Sequence, residues 1–127
     1  MKNVYQLLLD EHFKNPRNNK VLLNPHIHLT NVNPLCGDSI SIQMIYEADQ
    51  VVGIGIQAQG CVISVATASL LSEIVLKKQC DHILSFDSKT VCTLIGTELG
   101  PTRLKCALMG LKAIHQSIHE WKKKYDS

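Results

Sequence analysis

The sequence predicts an α+β domain: a small antiparallel sheet with helices packed on one face and a long C-terminal helix. Three observations carry this. Residues 39–46 and 52–58 alternate apolar and polar about a short polar turn, the pattern of a hairpin with one buried face. Residues 62–77 switch to helical spacing and are apolar around most of the circumference. Residues 103–124 hold helical spacing over about six turns.

The first 14 residues read as a short helix from about Val4 to Lys14. Val4, Leu7, Leu8 and Phe13 form its apolar stripe, with Leu9 beside it. Asn15-Pro16-Arg17-Asn18-Asn19 ends it, because proline cannot continue a helix. His12 reads as a surface or capping histidine. His26-Ile27-His28-Leu29-Thr30 alternates as a short strand would, with His26 and His28 on one face. That is a candidate ligand pair, and two solvated histidines are the competing reading.

In the hairpin, Ile40, Ile42, Met44 and Tyr46 face one side, and Ser39, Ser41 and Gln43 the other. Glu47-Ala48-Asp49-Gln50 makes the turn. Val52, Ile54, Ile56 and Ala58 supply the second buried face. A sheet so patterned has one wet face and needs helices on the other. In the following helix, small residues at 66–69 permit close packing, and Lys77-Lys78 suit its C-terminal end. Residues 79–98 read as one or two short helices, with Cys80 and Cys92 as small core or surface residues. Leu99-Gly100-Pro101-Thr102 breaks the chain before the last helix. There Leu104, Leu108, Leu111, Ile114, Ile118 and Trp121 share a face. His115 and His119 lie four apart, which is metal-ligand spacing and also the spacing of a plain exposed pair.

A chain of 127 residues suits one domain spanning 1–127. With 45% hydrophobic and 19% charged residues it has globular rather than disordered composition, and a net charge of +2 does not argue for nucleic acid. No run approaches a membrane span, and the N-terminus lacks a signal-peptide core, so a cytoplasmic location with reduced thiols is expected. Five cysteines, an odd number with no C-x-x-C pair, exclude a fully paired disulfide framework and a zinc ribbon. No Gly-rich phosphate loop, H-E-x-x-H or nucleophile–base motif marks a hydrolase.

Chemistry concentrates elsewhere. In Asn33-Pro34-Leu35-Cys36-Gly37-Asp38, proline stiffens the loop and glycine permits a sharp turn, so Cys36 and Asp38 can point to one side. Cys61 follows Gly60 at a helix start, where unpaired amides and the dipole favour thiolate. Cys106 follows Gly100-Pro101 near the start of the last helix, beside Lys105 and close to Arg103. The gaps between these cysteines are 24 and 44 residues, so any shared site must be assembled by the fold. Three thiolates and one carboxylate carry a charge of about −4 and suit zinc or an iron–sulfur cluster. Spacing alone leaves open a metal site or three unrelated small core cysteines.

Three ordered motifs over nearly the whole length resemble the U-type iron–sulfur scaffold family of IscU, SufU and the NifU N-terminal domain. They are Asn33–Asp38, Gly60–Ser64 running into Ala66–Leu70, and Leu99–Cys106, preceded by Glu11-His12-Phe13 and Asn15–Asn18. The resemblance implies a three-stranded sheet, its third strand falling near residues 26–32. It places the ligand set on Cys36, Asp38, Cys61 and Cys106. It implies a [2Fe-2S] cluster or iron as cargo, with sulfur from a cysteine desulfurase and transfer to apo-protein acceptors. The alternative is a SufU-like, zinc-dependent sulfur acceptor, with Cys106 receiving the persulfide and Lys105 easing its thiolate. Two features depart from IscU-type members. Lys105 stands where they usually have histidine, and residues 99–103 read Leu-Gly-Pro-Thr-Arg rather than Leu-Pro-Pro-Val-Lys. Recognition by an Hsp70-type chaperone is therefore not implied. The 44-residue gap lacks the insertion typical of SufU, so the chain mixes the two types. Neither nucleic acid nor a membrane is an expected partner.

Overall fold

A computed structural model describes residues 3–33 and 37–125. The elements are α1 (Val4–Lys14), β1 (Ile27–Val32), β2 (Ser39–Glu47), β3 (Gln50–Gln59), α2 (Val62–Val75), α3 (Cys80–Leu84), α4 (Ser88–Ile95) and α5 (Pro101–Tyr125). The strands form one antiparallel sheet in the order β1-β2-β3. Helices α2 and α5 cover one of its faces. The expected α+β class, the third strand near residues 26–32 and the long last helix are all present.

The sheet face under the helices follows the alternation of β2: Ile40, Ile42, Met44 and Tyr46 are buried. The β2–β3 turn puts Ala48 and Asp49 at φ of 51° and 61°, the left-handed pair that matches strand twist in a two-residue hairpin. β3 departs from expectation at its start. Tyr46 pairs with Val51 while Ile45 pairs with Gly53, so Val52 is an extra, bulged residue. The bulge turns Val51 into the core and leaves Val52 exposed; Ile54 and Ile56 stay buried.

The opposite face is not simply wet. The segment after α1 folds back against it, where Gln57 Nε2 donates to the Lys20 carbonyl at 2.6 Å. Gly55 sits beneath, because a side chain there would strike that carbonyl. Gln43 is consequently buried, donating to Gln57 Oε1 at 2.9 Å.

Helix α1 contradicts its apolar stripe. Val4 is 75% exposed and Leu7 57%, whereas His12, expected at the surface, is 3% exposed. His12 Nδ1 meets Ser69 Oγ at 2.7 Å, and Nε2 lies 3.6 Å from Glu73 Oε1. The Arg17 amide also donates to Ser69 Oγ at 2.7 Å, which leaves the Ser69 hydroxyl proton for Nδ1 and the Nε2 proton for Glu73. A polar register from α1 to α2 thus overrides the hydrophobic one.

Residues 79–98 form two short helices. Cys80 is fully buried among the core and Cys92 half-buried, as expected for non-ligating cysteines. In α5 the buried face includes Leu111, Ile114 and Ile118, and also Ala107, Gly110, Ala113 and Ser117. These small residues bring α5 close to α2: a Cβ on Gly110 would lie 3.1 Å from the Cα of Ala68. Among the described residues, no helix is long and apolar enough to cross a membrane.

Candidate metal and sulfur site

The close contact of α2 with α5 sets the site. Cys61 is the N-cap of α2, with extended backbone and its sulfur accepting from the Ser64 amide at 3.5 Å. The side chain is therefore held at the dipole's positive end. Cys106 lies one turn before Gly110 on α5. Because α5 begins at Pro101 rather than Arg103, Cys106 falls in the second turn, beyond the helix's own free amides.

Asp38 enters from the start of β2. The Gly37 amide donates to the Asn33 carbonyl and the Asn33 amide to the Asp38 carbonyl, each at 2.8 Å, closing the loop about Gly37 at φ 74°. Asp38 is 4% exposed, and its Oδ2 accepts from Ser64 Oγ at 2.7 Å. Gly60 makes room for it: φ is 146°, and a Cβ there would collide with the Asp38 carboxylate.

Ligand atoms of Asp38, Cys61 and Cys106 all lie within 4.8 Å of one another. Sulfurs bound tetrahedrally at about 2.3 Å from one zinc stand roughly 3.8 Å apart, so a contraction of about 1 Å would close the trio on an ion. Two thiols and a carboxylate are borderline-soft donors that fit zinc or iron. Cys36, the fourth expected ligand, lies outside the described residues. Lys105 and Arg103, expected beside the site, are exposed side chains of α5.

The two sulfurs are unequal. Burial pushes the Cys61 thiol up, but the hydrogen bonds its sulfur makes with the Ser64 hydroxyl, the Ser64 amide and the Cys106 thiol outweigh this and bring it below its ordinary value. Cys106 is pushed up to about 11, first by burial and then by giving its proton to Cys61. This reverses the expectation that Lys105 eases the Cys106 thiolate. A lysine pointing into water is screened, whereas the neighbouring sulfur acts directly.

No other His, Cys, Asp or Glu group among the described residues gathers in this way. His26 accepts the Tyr46 amide at 3.0 Å and packs 4.9 Å from Trp121 between ring centres. His28 meets Ser41 at 3.2 Å. His115 Nε2 donates to the Ile83 carbonyl at 2.9 Å, and His119 is exposed. Neither histidine pair belongs to a cluster of three or more metal-ligating side chains among the described residues. Sequence reasoning missed Ser64 and Gly60 as parts of the site. Ser64 had a visible signal: a polar residue three positions after a helix-starting cysteine, where capping groups meet.

Comparison with known proteins agrees with this fold. The family model described as the NifU-like N terminal domain matches residues 4–127. The chain is 30% identical to the zinc-dependent sulfurtransferase SufU of Bacillus subtilis, over 93% of this chain and 91% of that protein. It is also 30% identical to the iron-sulfur cluster assembly scaffold protein IscU of Aquifex aeolicus, over 87% and 71% respectively. A crystal structure of a NifU-like N-terminal protein from Brucella abortus superposes with a TM-score of 0.76 at 14% identity, covering 95% of this chain and 96% of that one. What the α+β layers and the cysteine–carboxylate cluster define is a U-type iron–sulfur scaffold fold. The chain belongs to the NifU-like N-terminal domain family, which holds the IscU and SufU proteins.

Proposed function

We propose that this protein is an assembly scaffold that accepts sulfur from a cysteine desulfurase and holds a [2Fe-2S] cluster as cargo for apo-protein acceptors. The convergence of Asp38, Cys61 and Cys106 within 4.8 Å is the observation that carries the reading. Those three and Cys36 form the ligand set. Asp38 is the harder and weaker ligand, and it keeps the cargo exchangeable. Replacing it (Asp38→Ala) should lengthen cluster lifetime after anaerobic reconstitution, followed by visible absorption. Unchanged or faster loss would remove Asp38 from that role.

A second reading is a zinc-dependent sulfur acceptor that stimulates the desulfurase. Its support is the likeness to the Bacillus sulfurtransferase along 91% of that protein's length. In either reading, a thiolate attacks the outer sulfur of the desulfurase persulfide. One S–S bond forms, the old one breaks, and the desulfurase leaves as a thiolate, with no net redox change. Cys61 is better poised for this attack while Cys106 keeps its proton; Cys106 takes the role once that proton is lost. Metal analysis and a spectrum of anaerobically purified protein, with desulfurase turnover measured with and without it, separate the readings. Brown protein with iron and sulfide supports the scaffold. Colourless zinc protein that strongly stimulates turnover supports the acceptor. Mass spectra of Cys61→Ser and Cys106→Ser after desulfurase treatment identify which sulfur gains the extra atom.

A further inference from the structure

We propose that the outer edge of β1 takes up an extended, acidic segment of a partner protein as a fourth strand, recognised by lysines of α5. The two edges of the sheet differ. Along β3 the Ile56 amide donates to the Asn18 carbonyl at 2.8 Å. The Val51 amide donates to the Lys78 carbonyl at 3.1 Å, and the Lys77 amide to the Val51 carbonyl at 2.7 Å. That edge is closed. Against β1, at the other edge, no strand lies among the described residues.

The bond from the Asn33 amide to the Asp38 carbonyl sets the phase of the ladder. In an antiparallel pair every second residue turns its amide and carbonyl to the partner. Asn31, Leu29 and Ile27 therefore face β2, while the backbone groups of His28, Thr30 and Val32 point away. Exposed edges are usually guarded by a lysine, a proline or an inward charge. β1 reads Ile-His-Leu-Thr-Asn-Val and carries none of these.

Three hollows lie in a row between this edge and α5. The first, about 400 Å³, is bounded by residues 26–28 and by Lys123 and Lys124. The second, about 380 Å³, runs from Leu29 to Asn31 beneath Gln116 and His119. The third, about 250 Å³, runs from Asn31 to Asn33 beside Lys105 and Lys112. They recur every two to three residues along β1, close to the period at which an extended chain presents side chains to one side. Four lysines, 105, 112, 123 and 124, line them against one acid, Glu120. None of the four lysines makes an ion pair among the described residues. Main-chain pairing would supply affinity, and carboxylates dropping into the hollows would supply choice of partner. A second copy paired edge to edge would set these lysines against their own kind, so the occupant is a different, acidic chain.

The test titrates the isotopically labelled 127-residue protein with an end-blocked synthetic peptide of alternating glutamate and valine. Its control has lysine in place of glutamate. Support would be amide shifts and slowed hydrogen exchange at His28, Thr30 and Val32, with weak or no binding of the control. Thr30→Pro removes an outward amide that no neighbour among the described residues uses. Lys112→Glu with Lys123→Glu reverses the charge. Each should weaken binding roughly tenfold or more. Circular dichroism checks that Thr30→Pro folds, and the charge-reversed variant carries the test if it does not. Equal binding of the control, shifts confined to other surfaces, or indifference to the charge reversal would overturn the proposal. So would self-association through β1, or an oligonucleotide binding there where the acidic peptide does not. The readout uses no metal or cluster, so its failure is distinct from failure of the scaffold reading.

Discussion

Ser64 does three things at once. Its hydroxyl donates to Asp38 at 2.7 Å and lies 3.3 Å from Cys61, and its amide caps the same sulfur. It is 1% exposed, so water cannot substitute for it. Such supporting groups orient ligands, and their loss typically weakens metal binding about 10–100-fold. Ser64→Ala should lower zinc affinity by at least about tenfold in a chelator competition, with a stability loss of about 1 kcal/mol in urea unfolding. His12 gives a pH prediction. Burial lowers its pKa below 6.5; Arg17 lowers it further, and Glu73 and Glu11 raise it by less. The unfolded chain then binds this proton more readily than the folded one. Its contribution is fully present above about pH 6.5 and is lost as pH falls toward the folded pKa. His12→Asn should flatten the fall in Tm between neutral and mildly acid pH. An equally steep fall in the variant would assign the acid sensitivity to other groups.

The elements themselves show where local preference prevails and where it yields. The β2–β3 turn requires two left-handed residues, and Ala48 meets this at φ 51° without glycine's freedom. A left-handed non-glycine residue costs roughly 1–2 kcal/mol, and glycine's extra unfolded-state entropy returns part of that. Ala48→Gly should therefore stabilise the protein by roughly 0.5 kcal/mol, seen as a higher urea midpoint at unchanged slope. Alternation in β2, the apolar run of α2 and the spacing of α5 were legible because each reports burial of a regular surface. α1 was not: its four-residue apolar spacing competes with one buried histidine, whose partners Ser69 and Glu73 lie on α2. The bulge at Val52 was equally hidden, since it depends on how β3 pairs rather than on what β3 contains.

Across the molecule, the decisive contact is Gly110 on Ala68. It lies one turn along α5 from Cys106 and two turns along α2 from Cys61, so the separation of the helices sets the separation of the sulfurs. Gly110→Val would force them apart. A loss of about 1–3 kcal/mol in stability is expected, with zinc affinity reduced beyond that of an equally destabilised variant away from α2 and α5. Unchanged affinity would show that loop movement, rather than helix spacing, closes the site.

The chain as written was enough for the layer architecture and the helix start at Cys61, because periodicity, caps and turn residues act over a few positions, whereas the choice of Cys36, Asp38, Cys61 and Cys106 as ligands rested on the resemblance of three motifs to a family. The inequality of the two thiols, the part played by Ser64 and Gly60, and the open edge of β1 came from packing. Each depends on atoms brought within a few ångströms from distant parts of the chain, and local sequence carries no record of such distances.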